Sequence, residues 1–317
     1  MTEINHVAVL GAGVIGASWS ALFLAAGKSV AVYDPMPGAE ASIRDFVETA
    51  WPTLQELGFA DNGDPTAFTV HSDAASAVDG ALFIQENAPE RAPIKHALYA
   101  EIEPHLATGA ILSSSTSGLT LSALQEGWKD PSRIILGHPF NPPHLIPLVE
   151  CTGNDKTADW VVPAARAFYE SVGKVTIELK KEAAGHVANR LQAAIWREAI
   201  HLVVSGVASV EDVDKTIWAG PGLRWAAMGP TMLFNLGAGP GGMAEFCARY
   251  GDSFHRWWDD LGNPRLDAET VAALVEGVDT EAGGASPAAL SAQRDALIRA
   301  MLAATGPLRR AGDEVQA

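Results

Sequence analysis

Apolar and polar positions in the first 180 residues form two alternating kinds of segment. Short apolar runs of four to six residues are typical of buried strands, and the longer stretches between them space their apolar residues as helices do. The predicted strands are His6–Leu10, Ser29–Tyr33, Phe68–His71, Ala81–Gln85, Ile111–Ser114, Arg133–Gly137, Ile146–Val149 and Lys174–Leu179. The predicted helices are 17–26, 39–58 with a kink or break at Pro52, 89–102 and 157–172. This alternation predicts an α/β domain with a mainly parallel sheet covered on both faces.

The pattern changes after Lys181, where helical spacing continues but no convincing strand appears. The predicted helices are 184–206, 213–218, 243–261, 268–278 and 287–304, and Ser209 is predicted to begin the second of them. We therefore expect an α/β domain over residues 1–183 and an all-α domain over residues 184–317. The apolar stripe of helix 184–206 exceeds what one small domain needs to cover, which predicts a homodimer formed through the second domain.

A glycine motif joins the first strand to the first helix. Gly11, Gly13 and Gly16 form a complete G-x-G-x-x-G, and Asp34 follows the second strand 18 residues after Gly16. In a Rossmann-type domain these glycines permit a tight turn, a close approach of pyrophosphate and the packing of helix on strand. The backbone N–H groups of the helix start, at Val14 and Ile15, would bind the phosphates.

The acid after the second strand indicates which dinucleotide binds. Asp34 can accept hydrogen bonds from both ribose hydroxyls and would repel a 2′-phosphate, so NAD is favoured over NADP. The alternative interpretation is a glycine-rich turn in an unrelated α/β protein.

A histidine and a carboxylate flank a loop that contains four prolines. His138 ends one predicted strand and Glu150 follows another, with Pro139, Pro142, Pro143 and Pro147 between them. Proline fixes φ, so this stiff loop could hold an imidazole and a carboxylate at a set distance and so form a proton acceptor. The alternative is a strand-end histidine and a solvated acid.

Polar residues also follow neighbouring strands of the predicted sheet. Residues 85–87, residues 113–117 and His138 come where three strands end. Ligands of parallel sheets bind outside the carboxyl ends of the strands, so the fold and the candidate site indicate the same edge.

Composition and charge narrow the classes of partner. The 317 residues carry a formal net charge of −16, which argues against nucleic acid and anionic membrane surfaces. Cys151 and Cys247 are the only cysteines, which gives no disulfide framework and no metal-ligand spacing. With no signal peptide and no membrane-length apolar run in the sequence, we expect a cytoplasmic protein.

Five segments together resemble the short-chain L-3-hydroxyacyl-CoA dehydrogenase superfamily over nearly the whole chain. They are GAGVIG (11–16), ENAPERAPIK (86–95), SSSTSGL (113–119), GHPFNPPHLIPLVE (137–150) and GHVANRL (185–191). The resemblance implies an NAD-dependent oxidoreductase that acts on the hydroxyl group of a small 3-hydroxy acid. Within the superfamily the chain is most similar to the L-carnitine dehydrogenases, and next to the L-gulonate 3-dehydrogenases and the lambda-crystallins.

The resemblance also implies roles for individual residues. His138 would be the general base, oriented by Glu150. Ser117 would bond the substrate oxygen, and Asn189 would hold the substrate and the reacting oxygen. In the segment ENAPERAPIK, Glu86 and Lys95 stand where members of the family contact the cofactor or the substrate.

The substrate stays open on this resemblance. Asn189 stands where the carnitine enzymes often have aspartate, whereas asparagine is usual in the acyl-CoA and gulonate branches. L-Carnitine, L-gulonate and L-3-hydroxyacyl-CoA therefore remain candidates. A catalytically weak NAD-binding structural protein, as the lambda-crystallins are, is the alternative from another class.

One arginine of the helical domain stands among apolar residues. Arg224 lies in the segment GPGLRWAAMGP (220–230). A cation in apolar surroundings is costly unless paired, so we expect Arg224 to bind a substrate carboxylate or to pair internally with Glu245 or Asp214. A trimethylammonium group would need aromatic rings around it, and the available rings are Trp196, Trp225, Phe254, Trp257 and Trp258.

Overall fold

The chain folds into two compact units, residues 1–190 and 191–317. The computed structural model describes residues 3–316, with side chains as far as residue 306. In that part of the chain, no helix is both long enough and apolar enough to cross a membrane.

An eight-stranded sheet forms the centre of the first unit. The strands are β1 His6–Leu10, β2 Ser29–Tyr33, β3 Phe68–His71, β4 Phe83–Glu86, β5 Ile111–Ser114, β6 Ile134–Pro139, β7 Leu148–Thr152 and β8 Val175–Leu179. Their order across the sheet is β3-β2-β1-β4-β5-β6-β7-β8. Every neighbouring pair is parallel except β6–β7, so the predicted mainly parallel sheet is confirmed.

One strand differs from the prediction in a way that affects the site. β7 begins at Leu148 rather than Ile146, and it runs on to Thr152. Pro147 has no N–H to donate to a strand ladder, which favours a start after it. Glu150 therefore lies in the middle of a strand, and the prediction that it follows a strand end is wrong.

Helices cover both faces of the sheet, as the pattern predicts. The helices of this unit are α1 Val14–Ala25, α2 Ala39–Glu56, α3 Ala74–Val78, α4 Ala92–Ile102, α5 Leu121–Leu124 and α6 Val161–Ser171. One face packs Trp19, Val47 and Phe168 into a core, and the other packs Tyr99 and Leu124 into a second core.

Proline explains two differences between the predicted and observed helices. α2 continues through Pro52, because this proline lies on the exposed side and removes one hydrogen bond without ending the helix. α4 begins at Ala92 rather than at residue 89, with Pro93 in its first turn, where the missing N–H costs nothing.

Helices make up the second unit. They are α7 Ala188–Val204, α8 Val210–Ala219, α9 Pro221–Ala227, α10 Pro230–Gly237, α11 Gly242–Asp260, α12 Ala268–Ala282 and α13 Pro287–Gln316, of which α7 starts in the first unit. The predicted cap is confirmed, since the Ser209 hydroxyl accepts the Asp212 N–H at 3.1 Å. α7 starts at Ala188 rather than at residue 184, because Gly185 and His186 both have positive φ and cannot belong to a right-handed helix.

Candidate active site

The glycine motif forms a turn that is closed on two sides and open on the third. Gly11 has φ +96°, and a Cβ there would meet the Asn87 carbonyl oxygen at 2.7 Å. A Cβ on Gly16 would collide with the Gly11 carbonyl group, whereas nothing lies within 4 Å of the Cβ position of Gly13. The surface over Gly13, at the start of α1 with Val14 and Ile15, is thus free for a pyrophosphate.

Asp34 follows β2 beside this turn. Its Oδ2 accepts the Ala12 N–H at 2.6 Å, and its Oδ1 accepts the Met36 N–H at 2.8 Å. The same carboxylate lines a cavity of about 570 Å³ whose walls include Arg44 and Val70. These residues fit the adenosine end of NAD: Asp34 would hold the ribose hydroxyls, and Gly13 would face the pyrophosphate.

Glu86 and Lys95 form an ion pair inside the first unit. Lys95 Nζ lies 2.6 Å from Glu86 Oε1, and the two residues are 0% and 1% exposed. Glu86 also accepts hydrogen bonds at 2.6 Å from the Ala88 N–H, the Tyr99 hydroxyl and the Ser114 hydroxyl. The pair therefore ties the segment after β4 to β5, and a direct contact of either residue with the cofactor stays a prediction.

His138 and Glu150 are brought together by the strand ladder. They stand opposite each other in the antiparallel β6–β7 pair, and such partners project from one face with Cβ atoms roughly 5 Å apart. His138 Nδ1 lies 2.9 Å from Glu150 Oε2, and the residues are 7% and 1% exposed. A carboxylate only accepts, so Nδ1 carries the hydrogen and Nε2 keeps its lone pair. The strand register sets this distance, and the proline loop connects the two strands.

Glu150 also binds the start of the first helix of the C-terminal part of the chain. Its second oxygen, Oε1, accepts the N–H groups of Val187 at 2.8 Å and Ala188 at 3.0 Å. Burial raises the pKa of Glu150, but the bonds from His138, Ala188 and Val187 outweigh it and hold the pKa below its ordinary value. The carboxylate is therefore ionised beside His138 at neutral pH.

Ser117 lies in a loop that is fixed by a carboxylate from the segment after β4. Glu90 Oε1 accepts the Thr116 hydroxyl and the backbone N–H groups of Ser117 at 2.9 Å and Gly118 at 2.6 Å. Burial raises the pKa of Glu90, and these hydrogen bonds lower it further than burial raises it. The Ser117 hydroxyl is exposed and bonds no other described residue, so it is free for a substrate oxygen.

Asn189 is placed near the same residues by the turn that precedes α7. Val187 and Ala188 bind Glu150, and His186 packs on His138 with their ring centroids 4.7 Å apart. Asn189 is the next residue after Ala188, and its side-chain amide makes no hydrogen bond with the described part of the chain. The structure thus brings His138, Glu150 and the backbone next to both Ser117 and Asn189 into one region.

A buried lysine anchors the proline loop. Lys174 Nζ donates to the carbonyl oxygens of Pro143 and of Ile146, the latter at 2.9 Å, and lies 5.0 Å from the ring centre of Trp19. Among the described residues no carboxylate pairs with this amine, and burial lowers the pKa of Lys174 to about 7. The Ser18 hydroxyl on α1 accepts the His144 N–H of the same loop at 2.9 Å. This bond joins the proline loop directly to α1, the helix that follows the glycine motif.

Arg224 lies in the second unit, on α9. Its side chain is exposed and forms no ion pair with any described residue, and Glu245 pairs instead with Arg249. Of the five candidate rings, Phe254 contacts Trp257 and Trp258 at centroid distances of 5.1 and 5.8 Å. The remaining two rings, Trp196 and Trp225, have no ring contact among the described residues.

Sequence reasoning missed Glu90 and His186 as members of the site. Both lie in segments that carry the family resemblance, ENAPERAPIK and GHVANRL. The signal that could have found His186 is a histidine directly after a glycine and before a helix start. Glu90 has no local signal, because its partners stand 26 to 29 residues further along the chain.

Family models match most of the chain. Residues 6–183 match the NAD-binding domain of 3-hydroxyacyl-CoA dehydrogenase, and residues 185–277 match the C-terminal domain of the same family. The resemblance inferred from the five motifs is therefore confirmed.

Individual relatives are similar over nearly their full length. The chain is 47% identical over 306 residues to the L-carnitine dehydrogenase of Streptomyces coelicolor, covering 96% of each chain. It is 42% identical over 293 residues to that of Bacillus cereus, covering 92% of this chain and 90% of the relative. A solved structure of 5-formyl-3-hydroxy-2-methylpyridine 4-carboxylic acid 5-dehydrogenase, an NAD⁺-dependent dismutase, is 29% identical, with a TM-score of 0.81 and coverage of 97% and 99%.

Proposed function

The chain belongs to the 3-hydroxyacyl-CoA dehydrogenase family, and from that premise we propose that it oxidises L-carnitine to 3-dehydrocarnitine with NAD. It is an NAD-dependent oxidoreductase, and the substrate is inferred from relatives that are 47% and 42% identical. The single observation that carries the reaction is the buried His138–Glu150 pair, whose Nδ1 and Oε2 atoms lie 2.9 Å apart.

The proposed oxidation removes two hydrogens from the substrate, the proton of the 3-hydroxyl group and the hydride on C3. NAD, when bound, supplies the acceptor for the hydride that leaves C3 of the substrate. His138 Nε2 takes the proton of the 3-hydroxyl group while the carbon–oxygen bond becomes a carbonyl, and Glu150 stabilises the resulting imidazolium through Nδ1. Ser117 and Asn189 donate hydrogen bonds to the oxygen as negative charge develops on it.

A substrate panel tests this assignment. We expect NADH to form with L-carnitine at a kcat/KM at least tenfold above that with L-gulonate or L-3-hydroxybutyryl-CoA. A preference for L-gulonate or L-3-hydroxybutyryl-CoA would instead assign the enzyme the substrate of that branch of the family. No NADH with any of them, from protein that binds NAD, would support the catalytically weak alternative.

The helical unit supports a further proposal, that the enzyme is a homodimer formed through residues 184–317. Large apolar side chains that are more than half exposed in the single chain lie on α7, α8, α9 and α11, and include Leu191, Trp218, Leu223, Trp257 and Trp258. Exposed apolar surface of this extent marks a protein interface, and a second copy of the chain offers the same surface.

Light scattering checks the dimer. One chain has a mass of 33.3 kDa, so we expect a particle of about twice that mass at micromolar concentration. Trp218→Glu should shift the particle toward the mass of one chain, because a charge in an apolar interface is costly. A wild-type mass of one chain would refute the dimer.

We also place the enzyme in the cytoplasm. Cys151 is buried and Cys247 is exposed, and both are free thiols. An exposed free thiol fits a reducing compartment.

Arg224 is proposed to bind the carboxylate of the substrate. Arg224→Met should raise KM for L-carnitine by roughly 10- to 100-fold, since a charged hydrogen bond is worth about 1.5–3 kcal/mol. The melting temperature should barely change, because the side chain is exposed and pairs with no described residue.

Arg249→Met is the matched control for this prediction. Arg249 lies in the same unit, but its guanidinium already pairs with Glu245, so its loss should leave KM unchanged. An unchanged KM together with a large fall in melting temperature for Arg224→Met would show that Arg224 is structural.

A further inference from the structure

His186 is held in the candidate site by two contacts that no assigned role explains. The residue is 4% exposed, and its ring lies 4.7 Å from the His138 ring, centroid to centroid, at an angle of 36°. Its Nε2 lies 3.3 Å from the carbonyl oxygen of Thr116. A carbonyl oxygen only accepts, so Nε2 carries the hydrogen and donates it.

The backbone of His186 indicates that its side chain is needed. His186 has φ +50°, and it is the one non-glycine residue with positive φ among those described. Glycine adopts this conformation without cost, whereas other residues are strained there. Gly185, with φ +73°, shows that the turn accepts glycine, yet a histidine occupies the second position.

The partner of His186 is the residue directly before Ser117. Thr116 is 2% exposed and is held from two sides, its hydroxyl by Glu90 and its carbonyl oxygen by His186. His186 therefore touches both halves of the site, the ring of His138 on β6 and the loop that carries Ser117 after β5.

Burial, more than the surrounding charges, favours the neutral form of His186. Burial lowers the pKa of His186 and the neighbouring His138 lowers it further, while the Thr116 bond and the carboxylates Glu150 and Glu90 raise it, with a net lowering. A neutral ring can pack on His138 without repelling it when His138 gains a proton.

We propose that His186 is a positioning residue: its imidazole, donating from Nε2 to the Thr116 carbonyl oxygen, fixes the Ser117 loop against the ring of His138. The proposal rests on the proposed oxidation of a 3-hydroxyl group. Two of the groups that act on the substrate oxygen in that reaction are the base that removes its proton and the Ser117 hydroxyl that bonds it. A direct link between their supports keeps their separation constant, which matters because small displacements of catalytic groups are costly.

Three substitutions separate the parts of this role. His186→Phe keeps a ring beside His138 and removes the hydrogen bond, and kcat should fall roughly tenfold, the usual effect of one lost hydrogen bond, with KM for NAD unchanged. His186→Asn can donate to Thr116 and tolerates positive φ, so it should recover part of the loss. His186→Gly relieves the backbone, and kcat should fall at least as far as in His186→Phe without a fall in melting temperature.

His96→Phe is the matched control. His96 Nε2, on α4 of the same unit, makes the same kind of bond, 2.7 Å from the Ala123 carbonyl oxygen. This variant should keep wild-type kcat. The proposal is overturned if His186→Phe keeps wild-type kcat, or if kcat falls in the His186 variants only in proportion to a loss of folded protein.

A stability measurement tests the neutral form without any substrate. The folded pKa of His186 is lowered, so below about pH 6.5 the unfolded chain takes up a proton that the folded chain does not. This group therefore makes stability fall as pH falls through that window, and His186→Phe should show a shallower fall of melting temperature between pH 7 and pH 5. Equal pH dependence in both proteins would refute the neutral imidazole. A wild-type enzyme that oxidises none of the alcohols would refute the proposed function and leave this measurement intact.

Discussion

His138→Gln should lower kcat by roughly 10²- to 10⁴-fold, the usual contribution of a general base. Glutamine has a similar reach and can bond Glu150, but it cannot take the hydroxyl proton. The glycine turn and Asp34 lie on other strands, so NAD should bind as it does to the wild type. The measurements are steady-state kcat with L-carnitine and the dissociation constant of NAD.

His96→Gln is the control for the loss of a histidine as such, and it should keep wild-type kcat because His96 bonds only the Ala123 carbonyl oxygen in the described structure. Deuterium at C3 of the substrate adds a second readout. Loss of the base should make the chemical step limiting, so the isotope effect on kcat should rise in His138→Gln. A kcat within threefold of wild type would place the base elsewhere.

The sequence predicted the local parts of the site well. The frame of β1, α1 and β2 is short and strongly patterned, and the glycine motif and Asp34 lie where that frame puts them. The polar residues at the carboxyl ends of β4, β5 and β6 meet at one edge because those three strands are parallel neighbours, which the alternation of strands and helices also predicts.

The parts that the sequence could not supply depend on distant pairings. Glu90 binds a loop about 27 residues away, and His186 binds Thr116 across 70 residues. The burial of the Glu86–Lys95 ion pair is likewise invisible in a motif, and a contact of either residue with the cofactor stays a prediction. The direction of β7 was hidden as well, since one antiparallel strand in a parallel sheet has no separate hydrophobic pattern.

Glu150 connects the base to the turn before α7, which makes its substitution informative. Oε2 faces the Nδ1 hydrogen of His138, and Oε1 faces the N–H groups of Val187 and Ala188. All three partners are donors, so the site needs an acceptor on both sides. Glutamine offers one acceptor and one donor, so its NH₂ group faces either the N–H groups of Val187 and Ala188 or Nδ1 of His138, whose hydrogen must then move to Nε2.

Glu150→Gln should therefore reduce activity and stability together. We expect kcat to fall roughly 10²-fold when the amide serves Val187 and Ala188, because His138 then loses the partner that fixes its tautomer. When the NH₂ group instead faces the N–H groups of Val187 and Ala188, an unsatisfied buried donor costs about 1–3 kcal/mol, which lowers the melting temperature by roughly 2–5 °C in a chain of this size. The folded pKa of Glu150 is lowered, so its contribution to wild-type stability is present above about pH 4.5 and is lost as pH falls through the folded pKa. The melting temperature of Glu150→Gln should therefore fall less than that of the wild type as the pH falls through this window.

Glu182→Gln separates the two effects of the Glu150 substitution. Glu182 Oε1 accepts the N–H of Ser122 at 3.0 Å and its hydroxyl at 2.9 Å, so it caps a helix start much as Glu150 does, but it bonds no histidine in the described part of the chain. This control should lose stability and keep kcat. If Glu150→Gln behaves in the same way, its carboxylate only caps the turn before α7. A loss of kcat in Glu150→Gln beyond that of Glu182→Gln, with part of it recovered in Glu150→Asp, would establish that the carboxylate acts on the base, since aspartate restores the charge although its side chain is shorter.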